Sequence, residues 1–80
     1  MRLDKYLKVS RLIKRRTVAN SACDAEKILV NDKVARASYE VKVGDIITIM
    51  IGQKPLSVKV INVAETVRKE DATSLYAVID

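Results

Sequence analysis

The spacing of apolar residues changes once along this chain, from the period of a helix to the period of a strand. Through about residue 25, apolar side chains recur every three or four residues, and from Ile28 onward they alternate with polar ones in short runs. A chain of 80 residues in this order can pack its helices on one sheet but is too short for a second domain of ordinary size. The expected fold class is therefore α+β, with two N-terminal helices followed by a small curled antiparallel sheet in one domain over residues 1–80.

The first predicted helix carries apolar residues along one side only. On a helical wheel, that side is formed by Leu3, Tyr6, Leu7, Ser10 and Ile13. Lys14 would fall on the same side, so the helix is expected to end or bend near Ile13. Thr17 is the expected N-cap of a second helix, because its hydroxyl can accept a hydrogen bond from a free backbone N–H group. The packing face of that helix is expected to consist of Ala19, Ala22, Cys23 and Ala25.

The remaining chain is predicted to form short strands joined by turns. Asn31-Asp32 is a turn signal between two of them, and Gly44-Asp45 is expected to form a turn before a buried strand over Ile46–Ile51. Further strands are expected within 56–63, where Val58 and Val60 share one face, and within 75–79. A polar loop is expected at 68–74.

Positive charge is concentrated at the N-terminal end of the chain. Residues 1–16 contain one carboxylate, Asp4, and seven cations: Arg2, Lys5, Lys8, Arg11, Lys14, Arg15 and Arg16. Their net charge is +6, whereas residues 17–80 contain eight cations and nine carboxylates, a net charge of −1. Arginine suits phosphate because its planar group can donate two parallel hydrogen bonds. This segregation predicts nucleic acid as the partner, with an anionic membrane surface or an acidic protein as alternatives.

The aromatic residues indicate which kind of nucleic acid to expect. The chain has three tyrosines, Tyr6, Tyr39 and Tyr76, and neither phenylalanine nor tryptophan. Surfaces that bind single strands usually offer several aromatic rings on which bases stack. Structured RNA, bound through its backbone and shape, is therefore the expected ligand.

The chain lacks the residues that most enzyme sites need. It has no histidine, and its one cysteine, Cys23, lies on the predicted packing face, where a core thiol is expected. Gly44 and Gly52 are too far apart to form a phosphate-cradling loop. No catalytic residue, metal or cofactor is therefore expected. The longest apolar runs are too short to span a membrane, so a cytoplasmic protein without membrane contact is expected.

Asp4 is the one carboxylate within the cationic segment, and two roles are open to it. It can act as a favourable negative charge in the first turn of the helix. It can also orient Arg16 or another nearby arginine, which would make it part of the RNA-binding surface.

Several short motifs occur at the spacing of a known family. They comprise Arg-Leu-Asp followed by leucine, an arginine-hydroxyl-x-alanine junction, Val-Asn, and Val-x-x-Gly-Asp. The matching residues are Arg2, Leu3, Asp4, Leu7, Arg16, Thr17, Ala19, Val30, Asn31, Val41, Gly44 and Asp45. Over about 2–51 the chain therefore resembles the alpha-L RNA-binding motif, or S4-type RNA-binding domain, with residues 52–80 as extra C-terminal strands. It departs from the motif at two turns, where Glu26 and Asp32 occur in place of the usual glycines.

The resemblance is strongest to stand-alone members of this family that act in bacterial ribosome-associated quality control. It implies a monomer that binds obstructed large ribosomal subunits carrying peptidyl-tRNA and contacts both large-subunit ribosomal RNA and the tRNA. It also implies that the P-site tRNA is stabilised while the partner RqcH supports C-terminal alanine tailing. The alternatives are a heat-shock-type ribosomal RNA-binding protein that recycles large subunits, and a general binder of structured RNA.

The same resemblance implies which residues contact RNA. Phosphate contacts are expected first from Arg2, Arg11, Lys14, Arg15 and Arg16, and next from Lys5 and Lys8. Thr17 would cap the second helix and offer its hydroxyl or backbone N–H group to a phosphate. Asp4 would orient an arginine.

Overall fold

The structure is a computed structural model that describes residues 1–79. Within them, two short α-helices precede the first strand, and a 3₁₀ helix precedes the last. The elements are α1 (Leu3–Val9), α2 (Arg16–Asp24), β1 (Ile28–Val30), β2 (Lys33–Val34), β3 (Ile46–Ile49), β4 (Leu56–Val60), the 3₁₀ helix (Lys69–Leu75) and β5 (Tyr76–Val78). The α+β prediction is confirmed. Asp80, which belongs to the predicted domain over 1–80, lies outside the described residues.

The five strands form one antiparallel sheet in the order β2-β1-β3-β4-β5. Val30, Ile47 and Val58 lie side by side across its centre, and all three are buried in the core that the sheet shares with both α-helices. The predicted alternation of Val58 and Val60 is confirmed, because both side chains are fully buried. The strand predicted over Ile46–Ile51 ends at Ile49, since the next two residues are exposed.

Helix α1 ends earlier than the prediction of Ile13. Ser10 is its C-cap, and Arg11 follows in the left-handed conformation, with a φ of 62°. This reversal turns Ile13 into the core while Lys14 stays exposed. A continued helix would have placed Lys14 on the apolar side, so burial of Ile13 and solvation of Lys14 favour the early turn.

Helix α2 also begins earlier than predicted. Its N-cap is Arg15, in extended conformation, and no side chain caps it. Thr17 lies inside the first turn and is exposed, so the prediction of a Thr17 cap is wrong. The fully extended conformation at Arg15 already provides the change of direction that an N-cap supplies. Ala25, predicted to pack, is exposed at the C-cap.

Two turns keep a backbone conformation that glycine would normally occupy. Glu26 has a φ of 62° after α2, and its N–H group donates to the carbonyl of Cys23 at 3.0 Å. Lys27 donates to the carbonyl of Ala22 at 3.0 Å, which completes a Schellman ending. Asp32 has a φ of 68° in the hairpin between β1 and β2. The geometry of both turns is therefore preserved without glycine, at a conformational cost of about 1–2 kcal/mol each.

The segment predicted as a polar loop at 68–74 is a 3₁₀ helix with two buried residues, Ala72 and Leu75. The Leu75 carbonyl accepts hydrogen bonds from Tyr6 Oη at 2.7 Å, from the Ile61 N–H group at 2.9 Å and from the Asn62 N–H group at 3.1 Å. These contacts hold the C-terminal part of the chain on α1. The loop prediction was wrong because Ala72 and Leu75 are the only apolar residues of this segment. Two apolar residues are too few to show a helical period.

Asp45 is a buried acceptor at the turn before β3 rather than a solvated turn residue. Its carboxylate accepts from Tyr39 Oη at 2.9 Å, Asn31 Nδ2 at 3.1 Å and the Lys42 N–H group at 3.0 Å. Asn31 in turn accepts from the N–H group of Ile46 at 3.0 Å. The carboxylate therefore joins the β1–β2 hairpin to the turn before β3.

We expect Asp45→Ala to lower the free energy of unfolding by about 2 kcal/mol at neutral pH, because it leaves three donors without their acceptor. Burial raises the pKa of Asp45. The hydrogen bonds and the charge of Lys42 lower it by more, so the pKa lies below its ordinary value of 3.8. The contribution of the Asp45 carboxylate to the free energy of unfolding is thus complete above pH 3.8. It is lost as the pH falls through the lower pKa of the folded state. Urea unfolding at pH 7 and in acid measures this, with the exposed Asp71→Ala as control. An equal difference in the free energy of unfolding between the wild type and Asp45→Ala at both pH values would contradict this prediction.

Candidate nucleic-acid interface

The carboxylate of Asp4 lies between α1 and α2 and collects donors from both. It accepts from Arg2 Nε at 3.2 Å, the Lys5 N–H group at 2.8 Å and Asn20 Nδ2 at 3.3 Å. Arg16 Nη2 forms an ion pair with it at 3.4 Å. Asp4 is 2% exposed, while the side chains of Arg2 and Arg16 are 50% and 46% exposed. The guanidinium groups are therefore held on one side by Asp4 and remain open to solvent on the other.

The chain segment before β3 fixes the position of Asp4. The backbone N–H group of Asp4 donates to the carbonyl of Ala37 at 3.1 Å, and that of Leu3 donates to Tyr39 at 2.8 Å. These bonds satisfy two of the free N–H groups that every helix leaves at its first turn. Leu3 is fully buried, so the backbone that carries Asp4 is also held against the core.

Asp4 is ionised at neutral pH. Burial raises the pKa of its carboxyl group, but hydrogen bonds from Asn20, Arg2, Arg16 and the Lys5 backbone together lower it below 3.8. A buried carboxylate with this many donors is stable as the charged form. It therefore acts as a permanent acceptor for both arginines.

Most of the predicted cations converge on one cleft of about 340 Å³ beside α1. Its positive lining consists of Lys5, Lys8, Arg11, Lys14 and Arg16. The opposite wall is the segment after β4, with Glu65, Thr66 and Val67. Summed positive charge in a concave, partly apolar site attracts anions more strongly than the same charges on a flat surface.

The turn between the helices brings the later cations into this cleft. Because Arg11 adopts a positive φ, the chain reverses after α1 and Lys14 returns to line the same cleft as Lys8. A non-glycine residue in this conformation costs about 1–2 kcal/mol. This strained turn carries four cations within residues 11–16. Strained backbone conformations often occur at functional sites.

The predicted site residues fall into two groups that share Arg16. The cleft contains five of the seven cations, while Arg2 is not part of its lining and contacts Asp4, as Arg16 does. Thr17 lines a depression next to Asp4 and Arg16. Arg15 is exposed at the start of α2 and is not part of the cleft lining. That these residues contact RNA remains a prediction.

Two side chains that contact predicted site residues were not themselves predicted from the sequence, those of Glu65 and Asn20. Glu65 forms an ion pair with Lys5 across the cleft, and this contact lowers the pKa of Glu65. Asn20 donates to Asp4. Neither has a sequence signal, because Glu65 is 60 residues from Lys5 and an asparagine on a helix is usually a solvated side chain.

We expect Glu65→Gln to bind RNA about two- to five-fold more tightly, because a phosphate no longer competes with a carboxylate for Lys5. Glu70→Gln, an exposed site on the 3₁₀ helix, makes the same charge change outside the cleft and is the matched control. Fluorescence anisotropy with a short RNA hairpin measures both. Weaker binding by Glu65→Gln would mean that Glu65 helps to position Lys5 instead.

Cys23 fits the predicted role of a core thiol. It is 4% exposed, and burial, followed by the charges of Asp4 and Asp24, raises its pKa to about 11. The thiolate that a nucleophile needs is therefore scarce at neutral pH. The longer α-helix, α2, has nine residues, so no helix among residues 1–79 can cross a bilayer.

Comparison with known proteins adds sequence evidence to this geometry. The model of the S4 domain family matches residues 1–47. A protein of Halalkalibacterium halodurans described as an RQC P-site tRNA stabilizing factor is 58% identical over 98% of this chain and 89% of its own length. A Bacillus subtilis protein with the same description is 48% identical over 99% of this chain and 92% of its own length.

Two solved structures share the fold over almost the whole chain. Heat Shock Protein 15 of Vibrio cholerae, solved as a trimer, has a TM-score of 0.91 and 28% identity, over 98% of this chain and 80% of that one. The solution structure of the hypothetical protein HP1423 has a TM-score of 0.84 and 29% identity, over 100% of this chain and 98% of that one.

Proposed function

The chain belongs to the S4 domain family, and on that premise we propose that it is a ribosome-associated quality-control factor that stabilises P-site tRNA. It binds obstructed large ribosomal subunits that carry peptidyl-tRNA, and it contacts ribosomal RNA and the tRNA through the surface formed by α1, α2 and the turn between them. The proposal makes it a binding protein without catalytic residues.

The observation that carries this proposal is the convergence of five cations on one cleft whose edge, Arg16, is held by a buried carboxylate. Structured RNA presents phosphates at regular spacing, and a pre-oriented arginine loses less conformational entropy when it binds one. Asp4 acts as the orienting residue in this scheme. Arg2 extends the surface at the start of α1, Thr17 extends it along α2, and Arg15 contacts phosphate from the exposed start of α2.

The finer parts of the proposal follow from the resemblance in sequence to proteins of the same description. The chain acts as a monomer in the cytoplasm, and the partner RqcH supports addition of the C-terminal alanine tail while the tRNA is held in the P site. No residue of the cationic surface takes part in that chemistry.

A second candidate function is favoured by the structural likeness to Heat Shock Protein 15. In that alternative the same cationic surface binds large-subunit ribosomal RNA during recycling, without preference for a bound tRNA. The two functions differ in whether the tRNA forms part of the ligand.

Co-sedimentation with purified large subunits, empty and carrying peptidyl-tRNA, distinguishes them at low and at physiological salt. We expect a clear preference for the tRNA-loaded particle, and a steep loss of binding as salt rises, because phosphate contacts release counterions. Equal binding to both particles would favour the second candidate. Absence of binding to either would overturn the RNA-binding proposal.

A further inference from the structure

A shallow depression of about 450 Å³ lies next to the cationic cleft, on the side of α2 that faces Asp4. Its lining consists of Asp4, Arg16, Thr17, Asn20 and Ser21. Apart from Arg16, the α2 residues here are neutral and polar, in contrast to the lysines and arginines of the cleft. These neutral side chains add no positive charge, and an acceptor among them suits a part of an RNA strand that can donate a hydrogen bond.

The orientation of the Asn20 amide is fixed by chemistry. Its Nδ2 atom donates to Asp4 Oδ2 at 3.3 Å. An ionised carboxylate can only accept, so the amide has to present its nitrogen to Asp4 and its oxygen to the other side. Among residues 1–79, no group donates to that oxygen. Asn20 therefore holds a free hydrogen-bond acceptor in a set direction.

Asn20 lies one helical turn after Arg16, and both side chains contact the carboxylate of Asp4, Asn20 Nδ2 at 3.3 Å and Arg16 Nη2 at 3.4 Å. A phosphate and a neighbouring ribose of one RNA strand can therefore reach Arg16 and Asn20 together. Phosphate oxygens cannot donate to Asn20 at neutral pH. The ribose 2′-hydroxyl can, and it lines the wide minor groove of an RNA helix.

We propose that Asn20 is a specificity-determining residue that accepts a hydrogen bond from a ribose 2′-hydroxyl group beside the phosphate bound by Arg16. This inference rests on the proposed RNA-binding function and adds to it the means of telling RNA from DNA. Asp4 supports both the phosphate contact and the hydroxyl contact, because the same carboxylate orients Arg16 and the amide of Asn20.

The test uses two short hairpins of one sequence, one of ordinary RNA and one with fluorine in place of every 2′-hydroxyl group. Both adopt the RNA-type helix, but only the first can donate from the 2′ position. We expect the full chain to prefer the hydroxyl hairpin about three- to ten-fold, the value of one to a few hydrogen bonds. Asn20→Ala should reduce that preference to nearly one, with little change in affinity for the fluorinated hairpin.

Controls separate this inference from the proposed function. Asn62→Ala makes the same chemical change outside the depression and should keep the preference, whereas Arg16→Ala should weaken binding to both hairpins alike. Asn20→Leu, with a similar side-chain size, provides a second variant if Asn20→Ala does not fold. A preference that survives in the Asn20 variants, or is missing in the wild type, would overturn the role of Asn20 alone. Absence of binding to either hairpin would overturn the proposed RNA binding as well.

Discussion

Arg16→Glu is expected to weaken binding to large ribosomal subunits about 10- to 100-fold without unfolding the chain. The substitution removes a phosphate contact, changes the local charge by two units and places a second carboxylate beside Asp4. The plot of log affinity against log salt should also become less steep by about one to two, because fewer counterions are released. Co-sedimentation over a salt series measures both quantities.

Lys54→Glu is the matched control for Arg16→Glu. Lys54 is exposed in the segment between β3 and β4 and lies outside the cleft lining, so it gives the same change in net charge. We expect its affinity to fall less than about three-fold. Equal losses in the two variants would show that net charge, rather than the arranged surface, determines binding. A circular dichroism spectrum like that of the wild type is required of both.

Asp4→Asn is expected to weaken RNA binding about five- to ten-fold even though it makes the chain more positive. Net charge alone predicts tighter binding, because the formal charge rises by one from +5. The amide, however, cannot accept from all the donors that now meet at Asp4, so Arg2 and Arg16 lose their fixed orientation. The two explanations therefore predict changes of opposite sign.

Fluorescence anisotropy with the RNA hairpin measures the sign, and Asp71→Asn supplies the same charge change at an exposed site. That control should bind as tightly as the wild type or slightly more so. We also expect Asp4→Asn to lower the free energy of unfolding by about 1–3 kcal/mol, since donors at a buried site lose their acceptor. Tighter RNA binding by folded Asp4→Asn would refute an orienting role for Asp4.

Local patterns in the sequence were sufficient for the two α-helices, for the strands and for most of their buried faces, but not for the 3₁₀ helix Lys69–Leu75. Leu3 and Leu7 of α1 and Val58 and Val60 of β4 are buried as their spacing predicted. The patterns were not sufficient for the ends of elements. Helix α1 ends at Val9 because burial of a later side chain outweighs continuation of the helix, and such competition between distant groups leaves no local periodic signal.

For the candidate surface, too, the sequence was sufficient for some features and not for others. The sequence by itself determined that all of the excess positive charge lies in residues 1–16, since the positions of charged residues can be read directly from it. It also indicated Asp4 as a possible partner of Arg16. Which cations share the cleft, and which contact RNA, could not be derived from charge alone, and the RNA contacts remain predictions.

Only the tertiary structure decided the pairings that give this surface its geometry. Asn20 meets Asp4 across 16 residues, Glu65 meets Lys5 across 60, and the Leu75 carbonyl meets Tyr6 across 69. Each depends on how the two helices and the segment after β4 pack on one core. Periodicity reports which side of an element is buried, but it contains no distance between elements, so contacts of this kind are set by the packing of the whole chain.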